Sequence, residues 1–77
     1  MAKVIIYSTP NCVYCKMAKD FLTKNNIAFD DRNVATDLAS RKEMFDKSHQ
    51  MGVPVIDIDG EIIVGFDKDT IKNLLKI

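Results

Sequence analysis

The chain has no tryptophan, one histidine, two cysteines, two prolines and three glycines in 77 residues, and its eleven basic and eleven acidic side chains cancel. Each shortage excludes something. Structural zinc takes four ligands, and Cys12, Cys15 and His49 fall short of that set. Two cysteines build no multi-disulfide scaffold, so the fold has to stand on its apolar residues, 47% of the composition. A chain this small buries only about 60% of the surface its unfolded form exposes, which is enough for one modest core. Zero net charge, with no basic block, aromatic-interleaved patch or acidic tail, excludes the usual signatures of nucleic-acid and anionic-membrane binding. No apolar run approaches membrane-spanning length, and no long apolar stretch follows Met1-Ala2-Lys3. A cytoplasmic location is therefore expected. Repeats, linkers and low-complexity segments are absent too, which leaves one domain over residues 1–77.

What the chain does have is a C-x-x-C pair, Cys12-Val13-Tyr14-Cys15, set between the apolar run Val4 to Tyr7 and an amphipathic stretch that begins at Val13. On one helical turn, residues i and i+3 have Cβ atoms roughly 5–6 Å apart, and a disulfide needs about 3.5–4.5 Å. The pair can open and close with little backbone movement. Cys12 falls where the first helical N–H groups lack intrahelical partners and the helix dipole is positive, a place that stabilises a thiolate. A purely structural disulfide here would close a very short loop and stabilise little. In a reducing compartment a lone cysteine pair is more often catalytic than structural.

Along the chain, Val4-Ile5-Ile6-Tyr7 reads as a central strand covered on both faces. From Val13, the residues Tyr14, Met17, Ala18, Phe21 and Leu22 recur at helical spacing as the apolar face, and Asn25-Asn26 ends the helix. Ile27 to Val34 reads as a second, more exposed strand, completing a βαβ unit. Thr36 is a candidate N-cap for a polar helix through Lys47, whose sizeable apolar residues are Leu38, Met44 and Phe45. His49 falls at that helix's end, where a cationic side chain suits the dipole. Pro54 to Ile58 and Glu61 to Val64 flank Asp59-Gly60, a hairpin turn of the D-G type. Asp67 caps a last helix with Ile71, Leu74 and Leu75 on one face. The predicted order is β-α-β-α-β-β-α.

That order, with C-x-x-C at the first helix start and Val53-Pro54 opening the hairpin, resembles the minimal thioredoxin fold of the glutaredoxin family. Gly52-Val53-Pro54-Val55 and Val64-Gly65-Phe66-Asp67 place the resemblance near the short glutaredoxin-like, NrdH-type redoxins. The resemblance implies an α/β fold with a four-stranded mixed sheet, order 2-1-3-4, and three helices, the second on the face opposite the other two. It implies that Cys12 is the nucleophile and Cys15 the resolving thiol. Pro54 matches the family's cis-proline, and Val53 would then offer its backbone to an incoming peptide as an added strand. Tyr14, Gly65, Phe66 and Asp67 are the further substrate-binding candidates. Asp67 has an equal reading as a helix cap, and Phe66 one as a core residue.

Four departures bear on the electron donor. Glutathione-using relatives typically carry proline, lysine, threonine and glycine where this chain has Val13, Thr9, Gly52 and Val64. Loss of the lysine removes a cation that would pair with a glutathione carboxylate, a bond worth about 1.5–3 kcal/mol when well formed. Val13 restores a backbone N–H beside Cys12. Lys16, one turn on, adds at most a weak positive field, as exposed lysines do. The resemblance thus implies a monomeric thiol–disulfide oxidoreductase with no bound cofactor or metal. Glutathione or a thioredoxin reductase would supply its electrons, and disulfide-bearing proteins such as ribonucleotide reductase, peroxidases or methionine sulfoxide reductases would receive them. The alternatives are a glutathione-dependent glutaredoxin holding an iron–sulfur cluster and a non-catalytic adaptor of the same fold.

Overall fold

A computed structural model of the chain describes residues 3–77, so the reading of Met1 and Ala2 lies outside the described residues. Seven elements follow the predicted order: β1 (Val4–Ser8), α1 (Val13–Lys24), β2 (Asp30–Asn33), α2 (Leu38–Ser48), β3 (Val55–Ile58), β4 (Glu61–Val64) and α3 (Lys68–Leu75). The sheet order is β2-β1-β3-β4. β1 runs parallel to β2 and antiparallel to β3, and β3 and β4 form the hairpin. Every residue of β1 is buried, as a central strand with both faces covered requires. Asp59 and Gly60 both take positive φ, 51° and 94°, the geometry of a two-residue turn that matches strand twist.

Alternation along the strands sorts the core into two layers. Val4, Ile6, Ile56, Ile58 and Ile63 meet Ala18 and Leu22 of α1 and Ile71 of α3 on one face. Ile5, Tyr7 and Val55 meet Met44 of α2 on the other, with Val34. The second layer is thin. Among the apolar residues expected to hold α2, only Met44 is buried, while Leu38 and Phe45 face solvent. Polar contacts complete the layer. The Lys47 ammonium donates to Asp57 Oδ2 (2.7 Å) and to the Tyr7 hydroxyl (2.9 Å) and lies 3.3 Å from Glu43. Tyr7 donates to Glu43 Oε1, and Arg32 of β2 donates to both Glu43 oxygens at 3.0 and 2.9 Å. Burial works against the charge on Lys47, but the bonds to Asp57, Tyr7 and Glu43 outweigh it and raise its pKa. Burial and the bond to Glu43 raise that of Tyr7.

Local expectations need three corrections. On α1 the buried stripe is Cys15, Ala18 and Leu22, whereas Tyr14 and Met17 are 63% and 45% exposed. The stripe follows the part of the helix that faces the sheet, and the apolar residues of the first turns flank it. The cap of α2 is Asp37, not Thr36. Asp37 Oδ1 accepts from the amides of Ala39 and Ser40, and Oδ2 accepts from the Ser40 hydroxyl. β2 is shorter than Ile27 to Val34, because Ile27 and Phe29 turn into the core before any ladder forms. Asn26 ends α1 in the left-handed conformation, φ 58°, and His49 closes α2 in the same way, φ 60°.

Candidate active site

Ser8 ends β1 and a Thr9-Pro10-Asn11 turn carries the chain to Cys12, the N-cap of α1. The cap places the Cys12 sulfur over the helix start, where it accepts the Cys15 amide N–H at 3.1 Å. An N-cap side chain takes up one of the donors the first turn leaves unpaired, and here that side chain is a thiol. The Cys12 thiol in turn donates to the Val53 carbonyl oxygen, 3.9 Å away. Both cysteines are free. Cys12 is partly exposed and lines a surface hollow with Pro10, Asn11, Val13 and Lys16.

Cys15 is sealed behind it, 1% exposed. Burial, then the hydrogen bond and charge of Cys12, push the Cys15 thiol up to about 11, while the Thr9 backbone and the Lys19 charge pull the other way. The two thiols therefore differ in kind. One is presented to solvent on a cap; the other is held neutral under the helix until something changes beside it.

The Val53–Pro54 bond is cis, and Val53 stands just before β3 without taking part in a ladder. Gly65 closes the same corner. Its N–H donates to the Pro54 carbonyl at 2.8 Å, and its φ of +86° is one that L side chains rarely adopt. Cys12, Cys15, Val53, Pro54 and Gly65 thus come together. Phe66 instead packs against Phe21 of α1, ring centroids 5.9 Å apart, as part of the core. Asp67 caps α3, its Oδ1 accepting the Thr70 amide at 3.2 Å and its Oδ2 the Thr70 hydroxyl at 2.7 Å. These bonds to Thr70 hold its carboxyl below the usual carboxylate range. Tyr14 projects into solvent between the cysteines.

One further charged group stands beside the site. Lys19, one turn after Cys15, pairs with Asp31 of β2 at 2.9 Å, and Asp31 accepts the Ser8 hydroxyl at 2.9 Å. A lysine four residues beyond a buried cysteine is the signal that was available.

A cysteine pair capping the first helix of a β-α-β-α-β-β-α sheet, beside a cis-proline, defines the thioredoxin-fold class of redox proteins. The comparisons narrow it. The glutaredoxin family model matches residues 4–63. An uncharacterised glutaredoxin-like 8.6 kDa protein in the rubredoxin operon of Clostridium pasteurianum is 55% identical over 71 residues, 92% of this chain and 95% of that protein. The glutaredoxin-like protein NrdH of Lactococcus lactis is 38% identical over 66 residues, 82% of this chain and 86% of that one. A crystal structure of a point variant of the thioredoxin-like protein BC3987 superposes with a TM-score of 0.93 at 34% identity, covering 100% of this chain and 99% of that one. The chain belongs to the glutaredoxin family, on the side of its short NrdH-type redoxins. A thiol–disulfide redox function goes with that family and with the Cys12–Cys15 pair.

Proposed function

We propose that the protein is a dithiol oxidoreductase that reduces disulfides of other proteins. The observation that carries this is the asymmetry of the pair: Cys12 partly exposed with the Cys15 amide aimed at its sulfur, and Cys15 buried directly behind. Cys12 as thiolate attacks a substrate sulfur, and the first substrate thiol leaves. Cys15 as thiolate then attacks Cys12 Sγ. The Cys12–substrate bond breaks, its electron pair and a proton go to the substrate sulfur, and the Cys12–Cys15 disulfide remains. The substrate segment lies alongside Val53 as a short added strand, using the backbone that stands outside the ladder.

For the donor we favour a flavoprotein reductase of the thioredoxin-reductase type over glutathione. Thr9 offers no cation to a glutathione carboxylate, and the Asp67 carboxylate is already engaged by Thr70. Clients are cytosolic disulfide-forming enzymes, with ribonucleotide reductase, peroxidases and methionine sulfoxide reductases as the family types. The test is insulin reduction followed by coupled NADPH consumption with each recycling system. Cys12→Ser is expected to abolish turnover and Cys15→Ser to accumulate a mixed disulfide. Wild-type rates in Cys12→Ser would refute the mechanism, and turnover with glutathione but not with a thioredoxin reductase would refute the donor.

A further inference from the structure

The exchange just proposed leaves one step without a helper. Cys15 has to lose its proton inside the protein before it can resolve the mixed disulfide, and burial opposes that. The charged and titratable groups around it are few. From its own helix and the cap come Cys12, Lys16 and Lys19. β1 contributes the Ser8 hydroxyl, the turn after it the Thr9 backbone, and β2 contributes Asp31. The Val53–Pro54 segment brings no charge, and Lys68 of α3 lies over the Phe21 ring, further along α1. Of the cations, Lys16 is exposed on the outer side. Lys19 is the one tied inward. It bridges from α1 to Asp31 (2.9 Å), and Asp31 is fixed in turn by Ser8, a hydroxyl 1% exposed at the end of the strand beneath the helix. Residues i and i+4 share one helix face, so Lys19 stands one turn beyond Cys15, and its charge favours the ionised Cys15 thiol.

We propose that Lys19, held by Asp31 and Ser8, is a positioning residue for the resolving half of the exchange, its ammonium favouring ionisation of Cys15 when the mixed disulfide has formed. The inference rests on the dithiol reading above. The timing follows from the neighbours. In the reduced protein burial, and after it the hydrogen bond and charge of Cys12, hold Cys15 neutral. Capping Cys12 with substrate removes its charge and leaves burial opposed by Lys19 and the Thr9 backbone. Cys15 then gives its proton to solvent, its sulfur bonds to Cys12 Sγ, and the departing sulfur takes up a proton in exchange. No external oxidant or reductant enters this step.

The experiment mixes reduced protein with one equivalent of dithiodipyridine in a stopped-flow instrument across pH. The first thiopyridone appears as Cys12 attacks, in a concentration-dependent phase, and the second appears as Cys15 resolves, in a concentration-independent phase. A unit charge one turn away in a half-exposed setting changes ionisation by about three- to tenfold. Lys19→Met is expected to slow the second phase by that factor near neutral pH and to move its pH midpoint upward, with the first phase unchanged. Lys19→Arg is expected to keep the wild-type midpoint. A merely structural lysine would lower stability without moving the midpoint. An unchanged midpoint in Lys19→Met overturns the inference alone, whereas wild-type protein that never releases the second thiopyridone overturns the dithiol reading and this inference with it.

Discussion

Replacing Lys47 with methionine tests whether α2 is held to the sheet by charge. The substitution keeps the stem and removes the ammonium, and with it the bonds to Asp57 and Tyr7 and the pairing with Glu43. The three partners fare differently. Glu43 keeps Arg32 and Tyr7, and the Tyr7 hydroxyl keeps Glu43. Among the described residues Asp57 then keeps only the Gly60 amide, on Oδ1, which leaves its Oδ2 without a partner there on a side chain 10% exposed. A hydrogen bond to a charged group is worth about 1.5–3 kcal/mol, and partial exposure of Lys47 places the loss near the lower end, about 2 kcal/mol. With a urea slope of about 1 kcal/mol/M for so small a domain, the unfolding midpoint should fall by about 2 M. Lys47→Met combined with Asp57→Asn should recover about half of that loss, because the unpaired group is then uncharged and still accepts from Gly60. The folded pKa of Lys47 lies above its ordinary 10.5. Its contribution is therefore whole below that ordinary value and is lost only as pH rises through the folded one, so the difference between wild type and variant should be flat from pH 7 to about 9. A Lys47→Met midpoint within about 0.5 M of wild type would refute the reasoning.

Two further outcomes follow from the site. Iodoacetamide at neutral pH should modify Cys12 first and Cys15 far more slowly, since Cys15 is 1% exposed and burial is the largest cause holding its thiol up; peptide mapping that finds both thiols labelled at equal rates at pH 7 would contradict the burial argument. Gly65→Ala should cost about 1–2 kcal/mol from backbone conformation alone, because a Cβ at Gly65 meets nothing within 4 Å. It should also lower the insulin-reduction rate by loosening the Pro54 corner, and a fully active, equally stable variant would sink that account.

The order of elements, the central place of β1, the Asp59-Gly60 turn, the Asp67 cap and the cysteine pair were legible in the sequence because each rests on a short-range rule. Strand burial, positive φ and capping are decided within a few residues. What was not legible depended on which neighbour each residue meets. Helical spacing put Tyr14 and Met17 with Ala18 and Leu22, yet only the sheet determines which part of that broad stripe is covered. Thr36 and Asp37 are both good caps, and a choice between adjacent cap formers is settled by where the helix docks. Lys47, Glu43 and Arg32 look like a solvated face until β3 brings Asp57 and β1 brings Tyr7 beneath them. The clue was an aspartate inside the apolar run Val55-Ile56-Asp57-Ile58. Lys19 was hidden in the same way, since its partner Asp31 sits on another strand.

The outermost strand on the β2 side is Asp30-Asp31-Arg32-Asn33. A second molecule trying to zip its backbone onto that rim would have to strip water from three ionised groups along a run only four residues long, and charge on a short margin is how sheets refuse such templating. On this side, then, the sheet ends in a margin that a second copy cannot extend without loss.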